Sequence, residues 1–139
     1  MSKYLYKKES YEIIGAAMQV YNDLGPGFLE AVYHEALTIE LNSCHIPFES
    51  QKKLHVYYRG HRLEQEYIAD LICYNRILLE IKAIKEIHDA HLAQTLNYLK
   101  ATGIALGYII NFGHPDELKW QRIVLSVNFN EEELSSYED

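Results

Sequence analysis

Cysteine is scarce in this chain, with two residues, Cys44 and Cys73, in 139. They are far apart and unclustered, which excludes a disulfide framework and a cysteine-rich zinc site. Both are read as small buried residues, one at a helix end and one in a strand. Three prolines and seven glycines are too few for a collagen-like or low-complexity chain. No apolar run approaches the roughly 18 residues of a membrane span. The N-terminal stretch, where Lys3, Lys7 and Lys8 alternate with tyrosines, has no signal-peptide pattern. A cytoplasmic location with no membrane partner is therefore expected.

Positive charge is also in short supply. Thirteen Lys and Arg stand against 20 Asp and Glu, a formal net charge of −7. That balance argues against indiscriminate nucleic-acid binding, which depends on clustered cations, but leaves room for a locally basic groove. Part of the negative charge lies in Glu131 to Asp139, read as an acidic tail. What remains is 48% hydrophobic and 24% charged, an ordinary globular composition. The length suits one domain with a real core, expected over residues 10–129, with 130–139 as the tail.

Taken in order, apolar residues recur at helical spacing from Ser10 to Asn22, with Ser10 as a candidate N-cap. The breakers of Asn22 to Gly27 make a loop. A second helix is predicted over Phe28 to Asn42, with Leu29, Val32, Tyr33, Ala36, Leu37 and Leu41 on a broad apolar side. Glu30 stacks with Tyr33, Leu37 and Leu41 and so borders or enters that face; its plain alternative is an acid complementing the helix dipole. Pro47 to Tyr58 reads as a strand turning at Arg59-Gly60-His61 into a second, Arg62 to Cys73.

The stretch Tyr67 to Lys82, YIADLICYNRILLEIK, places three charged side chains among strand formers. A turn of Tyr74, Asn75 and Arg76 sets Cys73 opposite Ile77. Counting back puts Asp70 opposite Glu80, with Cβ atoms about 5 Å apart. Alternation places Glu80 and Lys82 on one face and Ile77, Leu79, Ile81 and Ala83 on the other. Like charges facing each other repel, so a cation or Lys82 is expected to join them. The plain alternative is a solvated edge, but Ile68, Leu78 and Ile72 share the face and predict partial burial.

A helix is predicted from His88 to Thr102, ended by Gly103, with Leu92, Leu96 and Leu99 as its stripe. Gln94 and Tyr98 lie four apart on one face. His88 and His91 offer a rival zinc or iron site, ranked low because no third ligand is fixed. Ile104 to Phe112 reads as a central strand covered on both sides, and Trp120 to Phe129 as a last strand. The order α-α-β-β-β-α-β-β allows a crossover that makes the third and fourth strands parallel. The 12 tyrosines are mostly sheet and core residues, some available for base stacking.

These residues together resemble the GxxExxY family, a branch of the PD-(D/E)XK nuclease superfamily. Gly27-Phe28-Leu29-Glu30-Ala31-Val32-Tyr33 carries the naming motif, Asp70 the first acid and Glu80-Ile81-Lys82 the E-x-K. Gln94 and Tyr98 resemble the Q-x-x-x-Y motif of RecB-like nucleases. Ala69 stands where the superfamily's name has Pro, and the cysteines of an iron-sulfur cluster are missing. The resemblance implies an α/β restriction-endonuclease-like core, a mixed sheet flanked by helices. It further implies a nuclease using Mg²⁺, with Mn²⁺ able to substitute, acting on DNA or alternatively RNA.

In that scheme Asp70, Glu80 and the backbone carbonyl of Ile81 hold the metal, with Glu30 a further ligand directly or through water. Lys82 polarises the attacking water, Gln94 positions phosphate or water, and Tyr98 packs beside it. The alternative is a catalytically silent nucleic-acid- or protein-binding module on the same fold. A homodimer or a larger complex would supply the missing grip on the substrate.

Overall fold

A computed structural model describes residues 5–125. The predicted last strand beyond Leu125 and the acidic tail lie outside these residues. Three helices and five strands follow the predicted order: α1 (Lys7–Leu24), α2 (Glu30–Ser43), β1 (Phe48–Tyr58), β2 (His61–Cys73), β3 (Ile77–Lys82), α3 (Asp89–Thr102), β4 (Leu106–Asn111) and β5 (Lys119–Val124). The strands form one mixed sheet in the order β1-β2-β3-β4-β5. β1, β2 and β3 make an antiparallel meander, and the α3 crossover sets β4 parallel to β3 with Glu80 beside Ile109. β5 closes the sheet antiparallel to β4.

Two apolar layers sandwich the sheet. On one side Ile13, Ala17 and Val20 of α1 and Tyr33, Leu37 and Leu41 of α2 cover Leu71, Ile77, Leu79, Ile81 and Ile110. On the other, Leu99, Leu96 and Tyr98 of α3 cover Tyr67, Ala69, Ile72 and Leu78. β4 is buried along its whole length, which accounts for its unbroken apolar sequence. β3 alternates as predicted, so Glu80 and Lys82 stand with Leu78 on the α3 side of the sheet.

Several expectations need correction. Ser10 is no cap: α1 begins three residues earlier, after Tyr6 in a left-handed conformation, and Ser10 is buried inside the helix. Burial of the Tyr6 ring, with the Arg76 guanidinium 4.7 Å from its centre, anchors that earlier start. Along α2 the buried residues are Tyr33, Leu37 and Leu41, with Ala36 packed beside them, which leaves Val32, and Leu29 just before the helix, exposed. Cys44 is exposed at the end of α2, whereas Cys73 is buried and its thiol is pushed up to about 12 by burial. Ile68 is exposed, in contrast to buried Ile72 and Leu78.

The reason for Ile68 lies in a reversal of facing within β2. Tyr67 and Ala69 join the α3-side layer, yet Leu71 and Cys73, of the same parity, join the opposite one. Asp70 sits at the reversal. Ser50 pairs with Leu71 and Lys52 with Ala69 in one register, and Gln51 between them has φ 52. A left-handed residue inside a strand re-aims the side chains on either side of it, which a period-two pattern cannot signal.

Candidate active site

The loop that delivers Glu30 is held by the two residues that flank it in the motif. Gly27 has φ 112, a conformation that side-chain-bearing residues rarely adopt. Tyr33 is fully buried and stacks on Phe112 with ring centres 4.8 Å apart. Its hydroxyl donates to Gly25 O at 2.5 Å and accepts from Phe28 N–H at 3.1 Å. The spacing thus combines a permissive turn, an acid at the first helical position and an anchor one turn later.

The β2–β3 hairpin keeps the predicted register, with Cys73 opposite Ile77 and Leu71 opposite Leu79. Its ladder stops there, before Asp70 would meet Glu80. Continued pairing would match Ile81 with Ala69; instead the Ile81 N–H donates to Asp70 Oδ2 at 2.7 Å. The predicted face-to-face carboxylates are therefore replaced by a side chain bridging two diverging strands. Lys82 O bonds Phe112 N–H on the β4 side, so strand alternation turns the Ile81 carbonyl toward β2 and the site.

Glu80 is the most perturbed acid of the site. Burial drives its pKa up to about 7; Lys82 opposes that rise and Glu30 adds to it. Its Oε1 is buried without a hydrogen-bond partner. Glu30 is exposed as a residue, but partial burial of its carboxyl raises its pKa, opposed by Lys82, reinforced by Asp70 and opposed by His34. These mutual effects put Glu30, Asp70, Glu80 and Lys82 in one electrostatic neighbourhood. His91 belongs to it as well: burial lowers its pKa, and Lys82 and His88 lower it further.

Three further residues brace the site, His34 and Ser50 at Asp70 and Asn111 at the exit of β3. His34 Nε2 lies 3.1 Å from Asp70 O and 3.2 Å from Ser50 Oγ, tying β2 and β1 to the helix that carries Glu30. Asn111, fully buried, accepts from Ile84 N–H and Gly113 N–H at 2.9 and 3.0 Å and donates to Ile84 O at 2.8 Å. It pins the chain just after Lys82 to the end of β4. A faint signal for Asn111 was available, a lone amide in a strand otherwise wholly apolar.

Gln94 and Tyr98 form a pair of their own. Gln94 is exposed and its Nε2 donates to Tyr98 Oη at 3.2 Å; Tyr98 stacks on Tyr67 with ring centres 3.4 Å apart. No contact joins Gln94 to the carboxylates among the described residues, although it lies one turn along α3 from His91. Among the described residues the rival histidine pair gains no third ligand, and His91 Nδ1 accepts the His88 backbone N–H at 3.0 Å and so caps α3.

The described residues hold no preassembled group of three His, Cys, Asp or Glu side chains able to grip an ion. Magnesium does not require one, since it keeps several waters and takes one or two carboxylates. The unpartnered buried oxygen of Glu80 on β3 and the carboxylate of Asp70 on β2, tied to the Ile81 N–H, are hard oxygen donors of the kind that fits such a cation.

Fold and site together define an α/β protein of restriction-endonuclease type, with an acid where β2 parts from β3 and an E-x-K on β3. The chain belongs to the PD-(D/E)XK nuclease superfamily, whose family model matches residues 7–123. The solved structure of SSO0001 is similar with a TM-score of 0.54 and 19% identity over 88% of this chain, a likeness of fold. The chain corresponds to 59% of that protein's length. A search of curated proteins found no match. No helix among the described residues is long and apolar enough to cross a membrane.

Proposed function

We propose that this protein is a Mg²⁺-dependent nuclease that hydrolyses phosphodiester bonds in DNA, with RNA as the alternative substrate and Mn²⁺ able to replace Mg²⁺. The observation that carries the reading is Glu80: a buried carboxylate oxygen without a partner, in the field of Lys82 and Glu30, is costly to the apo fold and useful with a cation. The Gly27, Glu30 and Tyr33 spacing supports placement in the GxxExxY branch, and Gln94 with Tyr98 supports a Q-x-x-x-Y element.

Asp70 and Glu80 would hold the ion, with the Ile81 carbonyl as a further donor. A bound magnesium supplies positive charge beside the scissile phosphate and a platform for water. The Lys82 ammonium, on the same face as Glu80, orients the attacking water and offsets charge that develops on the phosphate oxygens. Glu30 orients water from the α2 side or bridges through it to the ion. Gln94 places a phosphate oxygen with its free amide hydrogen, and Tyr98 fixes the Gln94 rotamer.

Incubation of the protein with single-stranded and duplex DNA and with RNA, in Mg²⁺ or Mn²⁺, tests the proposal. Asp70→Ala is expected to lower the cleavage rate at least about a hundredfold. Cleavage by no preparation, or equal cleavage by the variant, overturns it. The net charge of −7 favours the competing reading of a catalytically silent binding module. Calorimetric Mg²⁺ binding that disappears in Glu80→Ala counts against that reading.

A further inference from the structure

The strands of the β1–β2 hairpin, 11 and 13 residues long, are about twice the length of β3, β4 and β5, and its outer part has a charge pattern unlike the rest of the chain. Between Gln51 and Leu63 stand Lys52, Lys53, Arg59 and Arg62, with His55 and His61, and no Asp or Glu. A chain with 20 acids and 13 Lys and Arg has here concentrated cations alone. Leu54, Val56 and Tyr67 pack against the α3-side layer, but every residue from Tyr57 to Glu66 is exposed. The strands remain paired to the tip, where Tyr58 meets His61 across a two-residue turn, Arg59 and Gly60 at φ 48 and 80. The result is a two-stranded ribbon that projects about 20 Å beyond Tyr67, with Lys53 at its base opposite Ile68.

Its surface is both cationic and aromatic. Tyr57 and Tyr58 are 55% and 59% exposed, which is unfavourable for tyrosines that serve only packing. The Arg59 guanidinium lies 5.4 Å from the centre of the Tyr58 ring. Arg62 Nε donates to His55 Nδ1 at 3.1 Å, and Lys52 pairs with Glu49 at 3.1 Å. The acids Glu64 and Glu66 lie on β2 on the body side of the tip, with Glu66 3.6 Å from His55. Asp70 stands on the same strand, nine residues and about 30 Å from His61.

We propose that this ribbon is a nucleic-acid grip: Lys53, Arg59 and Arg62 neutralise backbone phosphates, Tyr57 and Tyr58 offer base-stacking faces, and β2 leads the bound strand to Asp70. Charge complementarity singles out a polyanion as the occupant, and a paired ribbon is of a width that a nucleic-acid groove admits. The inference rests on the nuclease reading for the nature of the substrate, but binding by the ribbon is independent of turnover.

Fluorescence anisotropy of the full chain in EDTA, with one DNA sequence as single strand and as duplex, measures binding without cleavage. Arg59→Ala/Arg62→Ala is expected to weaken binding about tenfold and to reduce the duplex salt slope by about 2. Arg59→Lys/Arg62→Lys retains both, and Lys53→Glu, at another point of the ribbon, weakens binding independently should the alanine pair fold poorly. Unchanged affinity and slope in the alanine pair and in Lys53→Glu overturn the proposal, and cleavage by the wild type would then leave the nuclease reading standing. A ribbon-dependent affinity without cleavage in any metal supports the grip and removes the nuclease reading. Variants that alter sedimentation but not DNA affinity make the ribbon a contact between copies of the chain, and the proposal fails.

Discussion

At the scale of single residues, Glu80 and Asp70 divide two tasks. Asp70 fills the gap left where β2 leaves β3, accepting the Ile81 N–H that a continuous sheet would give to Ala69. Glu80 carries the cost. With its pKa raised to about 7 from an ordinary 4.5, the folded protein binds a proton more tightly than the unfolded chain does. Stability is therefore greatest below about pH 4.5 as far as this group is concerned, falls as pH rises through the window to 7, and is level above it. Glu80→Gln is expected to make the metal-free protein about 2 kcal/mol more stable at pH 8, with the gain vanishing near pH 4. Urea unfolding in EDTA across that range checks it, and a variant that is less stable at pH 8 would show that Glu80 is not desolvated in the fold.

At the scale of elements, the site depends on how strand ends are fastened. β3 contributes six residues, and its exit is tied to β4 by Asn111 alongside the Phe112 N–H to Lys82 O bond. Gly113 lies so close that an added Cβ would stand 2.3 Å from Ile84 O. Asn111→Ala removes three hydrogen bonds at a fully buried position and strands the Ile84 N–H, at an expected cost of about 3 kcal/mol. Chemical denaturation measures the loss, and faster hydrogen exchange at Ile84 locates it; exchange unchanged at Ile84 would place the fastening elsewhere.

At the scale of the molecule, two apolar layers clamp one sheet while Asp70 and Glu80 stand on its inner strands β2 and β3, where the ladder between them stops. Acids held together without neutralisation spend folding free energy, so a cation that binds them returns it by mass action. Mg²⁺ at ten times its dissociation constant is expected to add about 1.4 kcal/mol, raising Tm by about 4 °C, an increase absent in Glu80→Gln and reversed by EDTA. Equal shifts in both proteins would assign the cation to some other place.

The sequence by itself determined the element order, the β2–β3 register down to Cys73 opposite Ile77, the start and stop of α3 at His88 and Gly103, and the buried course of β4. These follow from local rules, because periodicity, turn residues and caps act within a few positions of one another. The acids of the motifs could be named in the same way. Only the tertiary structure decided that Asp70 bridges to a backbone N–H instead of facing Glu80, that β2 reverses its facing there opposite a left-handed Gln51, and that His34 and Asn111 brace the site. Each of these joins residues distant in the chain, and the first two break an alternation that the pattern of side chains continues without a mark. The exposure of Leu29, Val32, Cys44 and Ile68 departs from their apolar pattern for the same reason: how wide a face becomes covered is set by the partner that packs on it, and no local pattern contains that partner.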